Sequence, residues 1–427
     1  MILPISAAEV CQIAKSAYEA GDNERGDKFY NIILRSMLNF CDKGNADGAI
    51  ACELLMYRIL VKFRETEDST EAHFARWRDK MYALGLRERD ESLWSKENGI
   101  GFVVQTLFSL AHNEVLYQTL KLVGPRPVYV IGQYGEEIKA RFEEIGCKVT
   151  SAYDHLSDGG RKTSITDRLK WLRARMAADG IGVAVWNSTV TISSYAFGLG
   201  LAPKHVMWSH RFHPHIPGSV CRIAYGAEDE KTYHGQVWKC CKPPMVDWDR
   251  LSERHAIQTS GQFTFGTIAR DEKIENPLFL DTVIRILKSC PDARYEFTGR
   301  IEPRIVRNIF KKEGVSDRCH YIGWVDQLHV ASFDAFLETF PLGGICALYA
   351  LAQGVPVVAM RSNHNPLTHG GLPVSDTVDE YVDAAIALYQ NPFERKVAKD
   401  SGFEYIERER RETQAQARRL MGILESL

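Results

Sequence analysis

The chain has 427 residues, which is more than one hydrophobic core usually holds and indicates two or three domains. Hydrophobic residues make up 45% and charged residues 25%, with a formal net charge of -2, so the composition lacks the basic surplus of nucleic-acid-binding proteins. The chain begins without a basic segment followed by an apolar run, and no stretch reaches the ~20 apolar residues that span a bilayer, so we expect neither a secretory signal nor a membrane span.

Cysteine usage predicts the compartment. Of the ten cysteines only Cys240 and Cys241 are close together, and no CxxC or Cys/His ligand spacing occurs. This pattern favours reduced thiols, and hence a cytoplasmic protein, over a disulfide framework or a zinc site.

Residues 1–122 are predicted to form an all-helical domain. Apolar residues recur at three- and four-residue spacing in AEVCQIAKSAYEAG, KFYNIILRSMLNFCDKG and GAIACELLMYRILVKFRETE. No period of ~34 residues emerges, so a tetratricopeptide array is not predicted, although paired antiparallel helices fit the pattern.

Residues 123–245 are predicted to form a Rossmann-like lobe. After Gly124-Pro125, the apolar run PVYVIG, the helical EEIKARFEEIG and the run KVTSAY make a β–loop–α–β unit. The alternation continues through the helical TDRLKWLRARMAADG to GVAVWN and HVMWSH, which read as strands.

Residues 246–395 are predicted to form a second Rossmann-like lobe, joined to the first by a linker at KCCKPPMVDWD. Its strands are FTFGTIA, ARYEFTG, CHYIGW, FDAFLET and VPVVAM, with helices between and after them. Residues 396–427 form a charged helical tail. The fold class is therefore α/β with an all-α N-terminal domain, and ligands of such folds bind at the carboxyl ends of the strands, here in a cleft between the lobes.

A glycine pair follows the strand FDAFLET. Gly343 and Gly344 precede the helix that begins near Ile345, so backbone N–H groups there can approach a diphosphate closely. The alternative is that this glycine pair forms an ordinary turn into the helix and binds no ligand.

Basic residues follow two other strands of the second lobe. Arg270 and Lys273 come after the first strand, and Arg300 ends FTGR after the next. Cations at strand ends stabilise the charge on a departing diphosphate without a metal, so these residues are candidates for donor binding.

Three histidines follow the last predicted strand of the first lobe. His210, His213 and His215 lie within six residues, and a histidine there can act as a general base or donate to a phosphate. A metal cluster and an exposed loop are the alternatives, but carboxylate or cysteine companions at ligand spacing are missing. No Asp-x-Asp sits at a strand end, so a metal-dependent transferase is not predicted and no cofactor is expected.

Residues 200–395 resemble the bacterial cytoplasmic glucosyltransferases that modify asparagines of adhesins, and more distantly the O-GlcNAc transferases. The resemblance is carried by KIENPLFL, FTGR, FDAFLETFPLGG, GLPVSDTVDEYVDAAIAL and VMWSHRFHPHIPGSVCRIAYG, with TVDEYV the closest match. It implies a GT-B fold, in which two Rossmann-like lobes face a cleft, with the first lobe on the acceptor side and the second on the nucleotide-sugar donor side.

The resemblance also implies roles for individual residues. Lys273 would grip the donor diphosphate, Arg300 would contact the donor, and Gly343, Gly344 and Ile345 would cradle phosphate. His213 would be the active-site histidine, with His210 as the competing alignment.

One position departs from the family. The acidic residue that binds the ribose hydroxyls is replaced by Tyr349, and a tyrosine cannot accept from both hydroxyls as a carboxylate does. The resulting hypothesis is metal-independent, inverting transfer of a hexose, by default glucose, from a UDP-sugar to a polypeptide side chain such as asparagine of an adhesin or other surface protein. Transfer to a glycan or lipid-linked saccharide and a non-catalytic nucleotide-sugar-binding scaffold remain alternatives.

Overall fold

The computed structural model describes residues 6–63, 72–156, 163–187, 191–209, 212, 216–226, 228–251, 261–299, 304–341, 343–362, 367 and 372–427. The chain divides into two compact units: Met1–Cys241 with Ala417–Leu427, and Lys242–Gln416.

The first unit contains helices and one mixed sheet. Its helices are α1 (Ala7–Glu19), α2 (Asn23–Asp42), α3 (Ala46–Phe63), α4 (Arg78–Leu86), α5 (Ala111–Val123), α6 (Glu136–Glu144), α7 (Ala152–Leu156), α8 (Ile165–Ala178) and α9 (Ser193–Leu199), with a 3₁₀ helix at Glu91–Leu93. Its strands are β1 (Gly99–Val104), β2 (Val128–Val130), β3 (Val149–Ser151), β4 (Ile181–Asn187), β5 (Lys204–Trp208), β6 (Cys221–Tyr225), β7 (Glu230–Tyr233) and β8 (Gln236–Cys241). Their order is β3-β2-β1-β4-β5-β6-β8-β7, and every pair is parallel except β7 with β8.

The second unit is a smaller parallel α/β unit. Its strands are β9 (Thr264–Thr267), β10 (Arg294–Phe297), β11 (Cys319–Tyr321), β12 (Ala335–Leu337) and β13 (Val357–Val358), in the order β11-β10-β9-β12-β13. Its helices are α10 (Trp248–Leu251), α11 (Asp271–Ile274), α12 (Pro277–Ser289), α13 (Arg304–Lys312), α14 (Cys346–Ala352) and α15 (Val378–Gln390), with 3₁₀ helices at Ser316–Arg318 and Gln327–Ser332. The last helix, α16, spans Pro392–Glu425. The predicted parallel sheet of the second lobe is thus present.

Local sequence sets several of these boundaries. Ser6 and Glu9 form a capping box at the start of α1, and Thr377 with Glu380 does the same for α15. Helix α12 begins with Asn276 as its cap, followed by Pro277, whose missing N–H costs nothing at the first helical position.

The prediction of helix throughout residues 1–122 is wrong at β1. Gly99–Val104 is a central strand, parallel to both β2 and β4. The segment GIGFVV is short and contains two glycines, one of which is required by packing because a Cβ on Gly101 would lie 2.8 Å from the Tyr129 ring. Neither its length nor its glycines separate it from a loop in sequence. Similarly, part of the predicted linker KCCKPPMVDWD lies in β8.

The N-terminal helices share one hydrophobic core with the first sheet. Helix α4 crosses α9 at two glycines: a Cβ on Gly85 would lie 2.2 Å from the Tyr195 carbonyl oxygen, and one on Gly198 would lie 2.2 Å from the Tyr82 carbonyl oxygen. The two helix backbones therefore touch, and this region packs as part of the first unit.

One buried carboxyl group forms hydrogen bonds within this core. Glu53 of α3 is fully buried and accepts hydrogen bonds from Trp77 Nε1 (3.2 Å) and from the Ile192 backbone N–H (2.8 Å). Ile192 has a φ of 69°, a strained value for a β-branched residue. Glu53 thus connects the N-terminal helices to the segment that precedes α9.

The described helices include no segment that is both long and apolar enough to cross a membrane.

Candidate diphosphate-binding site

The candidate site lies at the carboxyl edge of the second unit's sheet. Strands β9 and β12 are parallel neighbours, so the segments that follow them emerge side by side. The Thr267 hydroxyl donates to the Leu337 carbonyl oxygen at 2.9 Å and ties the two strand ends together. Gly266, within β9, leaves room for the Phe333 ring, which a Cβ would approach to 2.1 Å.

Lys273 reaches the glycine loop from the segment after β9. The residue lies in the short helix α11, whose first turn is closed by a hydrogen bond from the Lys273 N–H to the Arg270 carbonyl oxygen (3.0 Å). Its ammonium group donates to the Gly343 carbonyl oxygen at 2.5 Å. Two of the predicted donor-binding elements, 70 residues apart in the chain, are therefore in contact.

A buried glutamate completes this cluster. Glu338 follows β12 directly, is 2% exposed, and accepts a short hydrogen bond from the Gly344 backbone N–H through Oε1. A Cβ on Gly344 would lie 3.2 Å from Lys273 Nζ and 3.9 Å from Glu338 Oε1, so the glycine stands against both charged groups.

Burial raises the pKa of the Glu338 carboxyl to about 7, against the lowering effects of the Lys273 charge and the Gly344 N–H. The Cys346 thiol belongs to the same cluster: burial, followed by the charge of Glu338, raises its pKa to about 12. The cluster thus contains one cation and one carboxyl group that can take up a proton near neutral pH.

Helix α15 holds the Glu338 segment in place. The buried Tyr381 hydroxyl donates to the Glu338 carbonyl oxygen at 2.9 Å. Phe340 packs edge-on against Phe279 and against the Tyr381 ring, with centroid distances of 5.5 and 5.1 Å. The chain entering the glycine loop is therefore fixed by the hydrophobic core of the unit.

The other predicted donor-binding residues are placed differently. Arg270 is exposed and forms the N-cap of α11. Ile345 is 6% exposed and starts α14, since its carbonyl oxygen accepts from the Leu348 N–H (3.0 Å). Tyr349 is 3% exposed, and its hydroxyl accepts from the Asp247 N–H at 3.5 Å.

Arg300, His210 and His213 lie outside the described residues. Their neighbour Phe212 is buried and packs edge-on against Trp238 at 5.7 Å, within the core of the first unit. The roles of these three residues, like those of Arg270 and Tyr349, stay predictions.

Sequence reasoning did not single out Glu338. Its signal was present, because an acidic residue directly after an apolar strand and before a glycine pair is placed at a strand's carboxyl end. No group of three His, Cys, Asp or Glu side chains within the described ranges is arranged to hold a metal ion.

Comparisons with known proteins identify solved structures of similar fold. No family model matches the chain, and no curated protein matches its sequence. Among solved structures, WaaG, a glycosyltransferase involved in lipopolysaccharide biosynthesis, matches with a TM-score of 0.51 at 11% identity over 76% of this chain and 99% of that one. A mutant of S. aureus TarM, in complex with Fondaparinux, alpha-GlcNAc-glycerol and UDP, matches with a TM-score of 0.53 at 9% identity over 77% of this chain and 99% of that one. What is shared at such identities is the fold, and the predicted GT-B fold with an N-terminal helical region is confirmed.

Proposed function

We propose that the protein is a metal-independent, inverting glycosyltransferase that moves a hexose, by default glucose, from a UDP-sugar to a protein side chain such as asparagine. The observation that carries the proposal is the contact of Lys273 with the Gly343–Gly344 loop at the carboxyl edge of a parallel sheet. A cation beside a loop without side chains is what a departing diphosphate requires. The UDP bound to TarM, which has the same fold, supports a uridine nucleotide as donor.

Lys273 supplies the charge in this proposal. As the bond between the sugar and the diphosphate breaks, negative charge grows on the leaving oxygen, and the ammonium group stabilises it more strongly than it stabilises the bound donor. Gly343 and Gly344 let the diphosphate approach the backbone, with Ile345 at the end of the loop. Arg270 and Arg300 are proposed as further contacts of the donor.

On the acceptor side we propose a histidine as general base. His213 is the leading candidate and His210 the alternative, because each can take a proton near neutral pH. An asparagine amide is a poor nucleophile, so positioning and leaving-group stabilisation supply most of the rate enhancement.

The test is release of UDP from a panel of UDP-sugars by the purified protein, with and without EDTA. We expect one donor to be turned over, EDTA to have no effect, and Lys273→Ala to lower turnover by about 10²-fold. Lys288→Ala is the matched control, since Lys288 is an exposed lysine that pairs with Glu313 at 2.7 Å. Wild-type turnover in Lys273→Ala would contradict the role given to Lys273.

A saccharide acceptor is the second candidate. WaaG acts in lipopolysaccharide biosynthesis, and TarM was crystallised with alpha-GlcNAc-glycerol, so both fold relatives are associated with glycan chemistry. Mass spectrometry of co-expressed surface proteins separates the candidates: a hexose adduct supports the protein acceptor, and its consistent absence together with extension of a saccharide supports the glycan.

A non-catalytic nucleotide-sugar-binding protein is the third candidate. Tyr349 stands where the family carries its ribose-binding carboxylate, and the Tyr349 hydroxyl is bonded to the Asp247 amide. Binding of a UDP-sugar without turnover in the presence of protein and saccharide acceptors would favour this reading.

A further inference from the structure

Glu338 has a position that the proposed reaction does not use. A nearly fully buried ionised carboxyl group is unfavourable unless it is paired, and this one lies beside the loop to which the proposed function assigns a diphosphate. The Glu338 side chain accepts from the Gly344 N–H and lies within the electrostatic influence of the Lys273 ammonium group, two groups assigned above to the diphosphate site.

We propose that Glu338 is a positioning residue of the diphosphate site and that it carries a proton when the diphosphate is bound. The proposal rests on the proposed function insofar as Lys273 and the glycine loop bind a diphosphate. Glu338 then acts through these groups, without touching the donor itself.

The positioning role follows from the two hydrogen bonds that cross the site. Lys273 Nζ donates to Gly343 O, and Gly344 N donates to Glu338 Oε1, so the single peptide group that joins Gly343 to Gly344 is held at both of its polar ends. The Tyr381 hydroxyl fixes the Glu338 backbone in turn. With Glu338 shortened to alanine, the half-buried Gly344 N–H loses its acceptor and the loop loses one of these two hydrogen bonds.

The protonated state follows from the charges that face Glu338. Lys273 of α11 is the neighbouring cation that favours ionisation. Cys346 of α14 and Tyr381 of α15 stay neutral, since burial raises the pKa of both groups. The charges of Glu338 and Asp326 raise the pKa of Cys346 further. A diphosphate bound to Lys273 would engage this cation, so the ionised carboxyl group would face the new anion with less compensation.

A neutral carboxyl group keeps the loop intact. Its carbonyl oxygen still accepts the Gly344 N–H, so protonation removes the charge without removing the hydrogen bond. Binding is therefore coupled to proton uptake by linkage, with tighter binding on the acid side of the Glu338 titration.

Isothermal titration with UDP-glucose between pH 6 and pH 8 tests both parts. Both phosphates of this ligand are esterified, so its own charge does not change over that range. For one proton taken up we expect the wild-type affinity to fall about tenfold from pH 6 to pH 8. Glu338→Gln, which keeps an oxygen acceptor for Gly344, should abolish that fall and bind at pH 8 at least as tightly as the wild type. Glu338→Ala should bind about tenfold or more weakly than Glu338→Gln at both pH values.

The matched control is Glu53→Gln, because Glu53 is an equally buried carboxyl group in the other unit, and its pKa is likewise raised to about 7 by burial. This variant should retain the wild-type pH dependence of binding. A melting curve of each variant establishes that the second unit is folded, and Glu338→Gln carries the test where Glu338→Ala does not fold.

The outcomes separate the two proposals. If Glu338→Gln retains the wild-type pH dependence, or Glu338→Ala binds as the wild type does, the role of Glu338 is refuted while the proposed function stands. If the wild type binds inorganic pyrophosphate but no UDP-sugar, the proposed donor is refuted. The same variants are then compared with the wild type for pyrophosphate binding at pH 8 alone, because pyrophosphate itself ionises between pH 6 and pH 8. Binding of neither probe refutes both.

Discussion

Two glycines of the second unit offer a test in which the same added methyl group has opposite effects. In Gly344→Ala the new Cβ lies 3.2 Å from Lys273 Nζ, at the far end of a flexible side chain. In Gly266→Ala it lies 2.1 Å from the Phe333 ring, which is 1% exposed. The first clash is relieved by a shift of the ammonium group, whereas the second forces packed core atoms apart.

The magnitudes follow from what must move. Relief at Gly344 needs a shift of a few tenths of an ångström and weakens the 2.5 Å contact from Lys273 Nζ to Gly343 O. A hydrogen bond from the Lys273 ammonium group to a bound phosphate contributes about 1.5–3 kcal/mol, so displacement of this group is expected to lower donor affinity by about ten- to a hundredfold. The shift itself is small, so we expect stability to change little. Overpacking at Gly266 costs about 1–3 kcal/mol of stability and leaves the affinity of the folded fraction at the wild-type level.

Thermal melting and titration with UDP-glucose, performed on both variants and the wild type, give the two readouts. The expected pattern is a low affinity with an unchanged melting temperature for Gly344→Ala, and the reverse for Gly266→Ala. Wild-type affinity in Gly344→Ala, or a lowered melting temperature without an affinity change, would refute the assignment of Gly344 to the binding loop.

Three further predictions concern stability. Burial raises the pKa of the Glu53 carboxyl in the folded chain to about 7, whereas its unfolded value is near 4.5. The stability that this group contributes should therefore be fully present below pH 4.5 and be lost as the pH rises to 7. In Glu53→Gln this fall, measured by urea unfolding, should be smaller by about 3 kcal/mol, and an equal fall in both proteins would contradict the burial argument. Gly85→Ala brings a Cβ within 2.2 Å of the Tyr195 carbonyl oxygen and should destabilise the first unit by about 1–3 kcal/mol in denaturant, so an unchanged midpoint would argue against the close helix crossing. Glu409→Ala leaves Lys242, which is 9% exposed and 2.9 Å from the carboxylate, without its buried counter-charge; we expect a loss of about 3–5 kcal/mol, and a loss below about 1 kcal/mol would show that water reaches the pair.

The parallel sheets were predictable because their strands are apolar runs between helices. β4 is buried at every position, and its sequence IGVAVWN has the continuous apolar character of a strand covered on both faces. β12, within FDAFLET, lies where its apolar run predicts, and α15 begins at the predicted TVDEYV segment. In each case the element that the local sequence pattern predicts is the one that the folded chain forms at that position.

The exposed strand β7 was not predicted by the sequence analysis. β7 alternates between exposed and half-buried residues, and its sequence EKTY contains a single aromatic residue. It is defined by its antiparallel pairing with β8, which a periodicity argument does not see. The sharing of one core by the N-terminal helices and the first sheet likewise depends on a long-range contact, the crossing of α4 and α9 at Gly85 and Gly198.

The candidate site shows the same division. Lys273 and the Gly343–Gly344 loop were predictable as candidates because each follows a predicted strand, and ligands of such folds bind at the carboxyl ends of the strands. Local sequence does not determine the order of strands in the sheet. The adjacency of β9 and β12, and with it the contact of Lys273 with the glycine loop and its electrostatic effect on Glu338, therefore had to be seen in the structure.

That adjacency also explains how a carboxyl group can form part of the proposed diphosphate site. Without a ligand, an isolated Lys273 ammonium group at the partly buried strand edge would be poorly solvated, and the Gly344 N–H would lack an acceptor. Glu338 supplies the acceptor for the Gly344 N–H and a negative charge near Lys273, whose ammonium group donates to the Gly343 carbonyl oxygen, at the cost of repelling the proposed diphosphate. One proton removes the charge of Glu338 without loss of the Gly344 hydrogen bond, so the same residue can hold the loop with and without the proposed diphosphate. A fixed charge at that position would repel the diphosphate, and an apolar side chain would leave the Gly344 N–H without an acceptor.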